Sequence, residues 1–391
     1  MAKGKGKGKK KVTENPYGIQ FRDDVQEARY NSLVARIIAP TRYMDEPALL
    51  ALGLLDDVHY LFANVGWTKF VGLKHFTYAR ITLEFLSSVN ANVLYAEGWP
   101  EDHHDNLITF RLFNTEHSLS LSQFNAIYGF PYGGQRRVPH EFSARGFWGL
   151  LTKSDSYDSS SSKSSKLRNP CFRYVHRVMS NTLFGRGDSD GVVRQSELLF
   201  LWNMLHPEVQ LDAGSHLITH MVKVGKASAG KIVIGGLITP IAEALGYRTS
   251  GLPFVRGSTR LDMEACLAMR MIVKEGQCYC LVLPDTEDTH PLPDQEHTTI
   301  RNQRNWNFPG GPQPEPLQEE RPEAPPGSSS QYFTPQPPPG SYAALQEEMA
   351  AQRAQLTGLD NTVHNIQDMV SAMYNWHLQQ YPGQFPPPPP Q

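Results

Sequence analysis

The sequence is poor in the features that most often announce a chemistry. Only four cysteines, Cys171, Cys266, Cys278 and Cys280, occur in 391 residues. They are too few and too clustered for a disulfide scaffold, and a reducing compartment would keep them as thiols. No run approaches the roughly 18 apolar residues that a membrane-spanning helix requires, and no apolar stretch follows the lysine-rich start, so neither a secretory signal nor a membrane partner is expected. A cytoplasmic or nuclear location fits. Net charge is also nearly lacking: 37 Lys+Arg stand against 39 Asp+Glu, so attraction to a polyanion has to be local. Proline is scarce where a core must form. Of 30 prolines, 17 follow Phe308, which separates a globular part from a tail that cannot pack.

What charge there is lies at the N-terminus. Residues 1–13 form a basic arm in which Lys3, Lys5, Lys7, Lys9, Lys10 and Lys11 alternate with or follow glycine, and without them 31 positive charges face 39 negative ones. Such an arm suits RNA or DNA phosphates through counterion release, or an import signal, or plain solubility.

The pattern from residue 14 onward predicts a mainly α fold with a small β-hairpin. Asp45 and Pro47 start a short helix that Gly53 ends. A second helix covers Leu54–Asn64, with Val58, Leu61 and Phe62 on one face and Asp56, Asp57 and His59 turned away. A third spans Thr77–Ser88, where Arg80 and Glu84 are spaced as a surface pair. Alternation over Leu107–Leu119 predicts the hairpin, and Ser120 with Gln123 has capping-box spacing. Eight serines within 154–165 predict a linker at 154–166 between an N-terminal subdomain (14–153) and a C-terminal one (167–301). In the latter, helices are expected at Arg173–Leu183, at Glu197–Leu205 under a Ser196 cap, at Gly214–Val224 and at Ile234–Leu245, with a strand at Cys278–Leu283.

Residues 302–341 read as a Pro-rich disordered linker. Beyond it, Leu345, Met349, Leu356, Leu359, Val363, Ile366, Val370 and Met373 step by four and three, missing only at Gln352. They form the seam of a coiled-coil helix over 342–378. A lone helix of that length is marginal in water, so the seam implies a partner, most simply a second copy of the chain. A polyproline tail, 379–391, closes the sequence.

Motifs that carry chemistry are incomplete. Gly225–Lys231 has the spacing of a phosphate-binding loop, but Ile232 stands where a magnesium-holding hydroxyl is needed. His216 and His220 share a helix face without the glutamate of the His-Glu-x-x-His pattern, which predicts two partly exposed histidines rather than a metal site. Cys266, Cys278, Cys280, His290 and His297 match no zinc-module spacing. The carboxylates Asp56 and Asp57, or Asp102 and Asp105, have no second pair beside them. No catalytic residue, metal or cofactor is expected.

Three segments resemble a known family. They are "APTRYMDEPALLALGLLDDVHYLFANVGW" with "FTYARITLEFLSSV" (39–89), "ITFRLFNTEHSLSLSQFNAIYGFP" (108–131), and the stretch from "NTLFGRGDSDGVVRQSELLFLW" to "GGLITPIAEALGY" (181–247). In this order they resemble the Athila-type open reading frame one proteins of plant retrotransposons in the Ty3/Gypsy class. The resemblance implies a non-enzymatic, element-encoded or element-derived plant protein, Gag-like in its self-association, with no catalytic residues to carry over. No protease, reverse transcriptase or integrase motif accompanies it, and no zinc knuckle. The alternatives are a divergent nucleotide-binding enzyme using Lys231, or a regulatory adaptor recruited by the host.

Overall fold

Local signals start and stop most of the helices. In the computed structural model, which describes residues 15–91, 107–187, 189–284, 286 and 288–308, α1 (Asp24–Leu33) begins where the Asp23 carboxylate accepts the Gln26 N–H at 2.7 Å. β1 (Tyr43–Met44) leads into α2 (Glu46–Ala51), capped by Asp45 and stopped at Gly53, whose φ of +70° suits glycine. α3 (Leu55–Asn64), α4 (Thr68–Val71) and α5 (Ala79–Ser88) follow. β2 (Asn90–Ala91), β3 (Leu107–Leu112) and β4 (Thr115–Ser120) make an antiparallel sheet in that order. Its tight turn is Phe113–Asn114, with φ of 53° and 64°, the left-handed pair that a two-residue hairpin needs. The expected capping box opens α6 (Leu121–Tyr128): Ser120 Oγ accepts from Gln123 N–H at 3.1 Å and Gln123 Oε1 from Ser120 N–H at 2.9 Å.

The second half contributes α7 (Ala144–Thr152), α8 (Pro170–Asn181), α9 (Gln195–Leu205), α10 (Ala213–Lys226) and α11 (Gly235–Ala244). β5 (Arg260–Leu261) and α12 (Met263–Ala268) precede a second antiparallel sheet of β6 (Ile272–Glu275), β7 (Cys278–Val282) and β8 (Thr289–Leu292), then α13 (Gln295–Thr298). The fold is mainly α with some β. Only the hairpin and the β7 strand were legible as β, because β6 and β8 are short and carry polar residues at half their positions.

The two expected subdomains share one core. β1 pairs in parallel with β5, with Tyr43 opposite Arg260. α5 packs against α1, α10 and α11, and α3 against α8 and α9. The apolar residues of both halves form a single buried cluster. Leu198, Leu201 and Met204 of α9 are fully buried in it, as its nearly all-apolar sequence predicts.

Four expectations need correction. The Ser-rich segment 154–166 is held rather than mobile. Asp158 accepts the Ser160 N–H and the Ser160 and Ser161 hydroxyls at 2.8–2.9 Å, while Ser164 N–H donates to Gly191 O and Val193 N–H to Ser162 O. Short polar side chains that satisfy nearby backbone order a segment without an apolar core. The linker expected from 302 starts inside the folded body: Gln303–Asn307 is a 3-10 helix, Asn169 donates to Asn305 O at 2.9 Å, and Phe308 is buried. Ser196 does not cap α9, which starts two residues earlier than expected, at Gln195, with the Glu197 carboxylate accepting the Arg194 N–H at 2.8 Å. Asp57 and Glu84, expected on solvent faces, are both buried. The basic arm Lys3–Lys11, the carboxylates Asp102 and Asp105, the seam Leu345–Met373 and the polyproline tail lie outside the described residues.

Candidate functional site

Helix α8 (Pro170–Asn181) carries charged side chains on two sides. On one side Arg173 and Arg177, four residues apart, line a cavity of about 180 Å³ with Lys163, Ser164, Met269 and Met271. Arg173 is 6% exposed. Its guanidinium donates to Val282 O at 2.8 Å and Arg270 O at 3.2 Å, tying α8 to the β6–β7–β8 sheet. Burial, and then the neighbouring Arg177, push Arg173 down to about 10, so it stays charged at neutral pH. Arg177 pairs with Asp190 at 2.5 Å. Among the groups lining the cavity or paired with them, three cations thus meet one carboxylate, and the cavity favours an anion.

The other side of α8 is closed. His176 Nε2 lies 3.0 Å from Glu197 Oε2, Arg186 reaches both oxygens of Glu197 at 3.0 and 3.1 Å, and Ser180 Oγ is 3.3 Å from both His176 Nε2 and Glu197 Oε1. Ser, His and Glu in contact invite comparison with a catalytic triad. A triad places hydroxyl and carboxylate on opposite ring nitrogens, whereas here both address Nε2 and all three side chains are fully buried. The arrangement neutralises a buried charge and activates no nucleophile. Desolvation would raise Glu197, but hydrogen bonds and charge from His176, with the Arg194 N–H and Arg186, outweigh it and hold the carboxyl below its ordinary range.

The motifs singled out in the sequence fall elsewhere. Gly225 closes α10 against the Leu86 carbonyl, which a Cβ there would meet at 2.2 Å, and Lys226–Ile234 turns the chain from α10 into α11. No buried strand precedes this loop, as phosphate binding would require. His216 and His220 are partly exposed, as expected. His216 packs edge-on against Phe184 and Phe200. Burial, then His220, push His216 down to about 4, and burial, then Lys223, do the same to His220. All four cysteines are free thiols. Asp57 accepts from the Thr299 hydroxyl at 3.0 Å and sits 3.7 Å from Arg301; desolvation dominates and raises it.

One convergence was missed in the sequence. His290, Asp294 and His297 place one ligand-type atom each within 4.8 Å of one another. The cysteines, which the sequence offered as fellow ligands for the two histidines, are not part of this group. The signal was the local spacing His-x-x-x-Asp-x-x-His around a helix start.

The segments 39–89 and 108–131 fold as their patterns require, into capped helices and a hairpin around one core. Residues 23–207 match the ATHILA ORF-1 family. That span carries the sequence pattern of the ATHILA ORF-1 family. The first two resembling segments lie wholly inside the match, and the third enters it as far as residue 207. No curated protein and no solved structure gives a significant match. The match points to a retrotransposon-encoded plant protein. The Athila span contributes α1–α9 and most of the basic cavity, while α10 and α11, which complete the core over α5, follow it in sequence. No helix among the described residues is long and apolar enough to cross a membrane.

Proposed function

We propose that this Athila-type protein is a non-enzymatic assembly protein of its element. Copies join through Leu345, Met349, Leu356, Leu359, Val363, Ile366, Val370 and Met373, and nucleic acid is held through Lys3, Lys5, Lys7, Lys9, Lys10 and Lys11. The observation that carries the reading is the heptad seam: a stripe of apolar residues on a helix needs a partner surface. The arm supports it as the densest positive charge in a chain that is otherwise mildly acidic, so binding is sequence-blind and steeply salt-dependent. Light scattering on the full-length chain and on a version ending at Phe308, each with and without single-stranded RNA, tests it. A defined oligomer that grows with RNA only in the full-length chain supports the reading, and two monomers indifferent to RNA overturn it.

The basic cavity favours a second contact on the folded body. Guanidinium groups bind phosphate through paired, charge-assisted hydrogen bonds, and Arg173, Arg177 and Lys163 line a space with surplus positive charge. RNA binding at low salt that survives deletion of residues 1–11 and is lost on Lys163→Glu assigns a phosphate to this cavity. If deletion of the arm alone abolishes binding, the arm is the whole site.

A further inference from the structure

The last elements of the folded body hold three metal-binding side chains in a fixed arrangement. His290 stands on β8, opposite Leu281 of β7, so the sheet sets its position. Asp294 caps α13: its Oδ1 accepts the His297 N–H at 3.3 Å, and the Thr298 hydroxyl donates to its carbonyl at 2.6 Å. That leaves Oδ2 facing both imidazoles, 2.6 Å from His290 Nε2 and 2.8 Å from His297 Nδ1. Phe308, 1% exposed, meets the His290 ring edge-on at 4.8 Å and the His297 ring at 6.4 Å, an apolar wall along one side. The open side is that of His297, whose side chain is 56% exposed.

We infer that His290, Asp294 and His297 form a three-ligand site for a zinc-class divalent cation. Two imidazoles and one carboxylate are a zinc donor set, whereas magnesium and calcium take oxygen ligands almost exclusively. Zinc–ligand bonds of about 2.0–2.2 Å in a tetrahedron set the ligand atoms roughly 3.3 Å apart. The contacts of 2.6 and 2.8 Å therefore need to open by roughly 0.5–0.7 Å, and the two imidazole nitrogens, within 4.8 Å of each other, to adjust to the same spacing, which rotation about the side-chain bonds supplies. The backbone contacts of Asp294 play the part that outer hydrogen bonds play around zinc ligands, fixing the carboxylate before the ion arrives. Three protein ligands leave a fourth tetrahedral position for water or for a group from another molecule. Binding would clamp β8 to α13 beside Phe308, where the folded body meets the proline-rich segment. This inference stands apart from the assembly reading, since none of its residues belongs to the arm, the seam or the basic cavity.

The test uses the full-length chain, stripped with a chelator and titrated with zinc against a chromophoric competitor, then with cobalt(II) followed by visible absorption. The expected result is one strong site, with a tetrahedral cobalt spectrum and no competition from excess magnesium. His297→Ala changes an exposed side chain, and Asp294→Asn keeps a helix-capping residue; each is expected to weaken zinc by more than about tenfold with an unchanged circular dichroism spectrum. No zinc binding, equal binding of magnesium, or zinc affinity untouched by both substitutions would overturn the assignment.

Discussion

Glu84 and Glu197 are both buried, both on helices and both surrounded by the same core, yet they are kept there by different means. Around Glu197 the compensation is charge: Arg186 and the His176 ring approach within 3.1 Å, with the Arg194 N–H at 2.8 Å. Around Glu84 it is backbone. Its two oxygens accept the N–H groups of Phe113 and Asn114, at 2.9 and 2.5 Å, from the turn between β3 and β4. Both turn residues have positive φ, a conformation in which successive N–H groups point into one concavity and hold an anion. Arg80, the partner that helical spacing offered, instead lies over the Phe113 ring, 5.3 Å from its centroid. Helix α8 and its neighbour thus bury a carboxylate with the Arg186 guanidinium and a hydrogen-bonding imidazole, and α5 buries one with a hairpin. The first solution leaves orphan charges when it is broken, and the second leaves orphan N–H groups.

The comparison can be broken most sharply at Glu197. Glu197→Ala strands Arg186 in the core and is expected to cost about 3–5 kcal/mol of unfolding free energy, measured by urea denaturation. Because the folded carboxyl sits below its ordinary value of 4.5, the stability it confers is present above that value and is lost as pH falls through the lowered folded value. Glu84→Gln keeps one acceptor but turns an NH₂ group toward a donor, so a loss of about 1–3 kcal/mol is expected. An equal loss at the two sites would erase the distinction between charge and backbone compensation.

Two further measurements sharpen it from groups that the fold does not favour in their charged form. His216 and His220 are pushed from 6.5 to about 4, so the unfolded chain takes up protons first and stability falls as pH drops from 6.5 toward 4. Replacing both by glutamine is expected to flatten the stability profile in that window. Asp57 gives the smallest effect and the opposite sign to Glu197. Its folded value is raised above 3.8, chiefly by desolvation, so its contribution to stability improves as pH falls through that raised value. Asp57→Asn, which keeps a partner for Thr299, is expected to change stability by less than about 1 kcal/mol.

How much of this was legible follows the range of the interaction. The cap at Asp45, the stop at Gly53, the capping box at Ser120 and the hairpin over Leu107–Leu119 depend on residues close in sequence, and each appeared where its pattern put it. Glu84 and Asp57 were misplaced because their neighbours in sequence allow a solvent face and only partners 29 and 242 residues away make a buried one. The basic cavity was invisible for the same reason, since Arg173 and Arg177 are far in sequence from Met269 and Met271. His290, Asp294 and His297 are local, but their convergence needs the strand-to-helix exit that only the fold supplies.

The sequence by itself determined many of the helices and the hairpin, the caps at Asp45 and Ser120, the stop at Gly53, and the Athila resemblance, because these rest on backbone propensities and apolar periods written over short stretches. Only the tertiary structure decided that the two halves of the folded body share one core, that the Ser-rich segment is held in place, and which charges go inside. Those outcomes depend on what each side chain meets across the core, and a buried charge survives only where a distant element brings it a counter-charge or a pair of N–H groups.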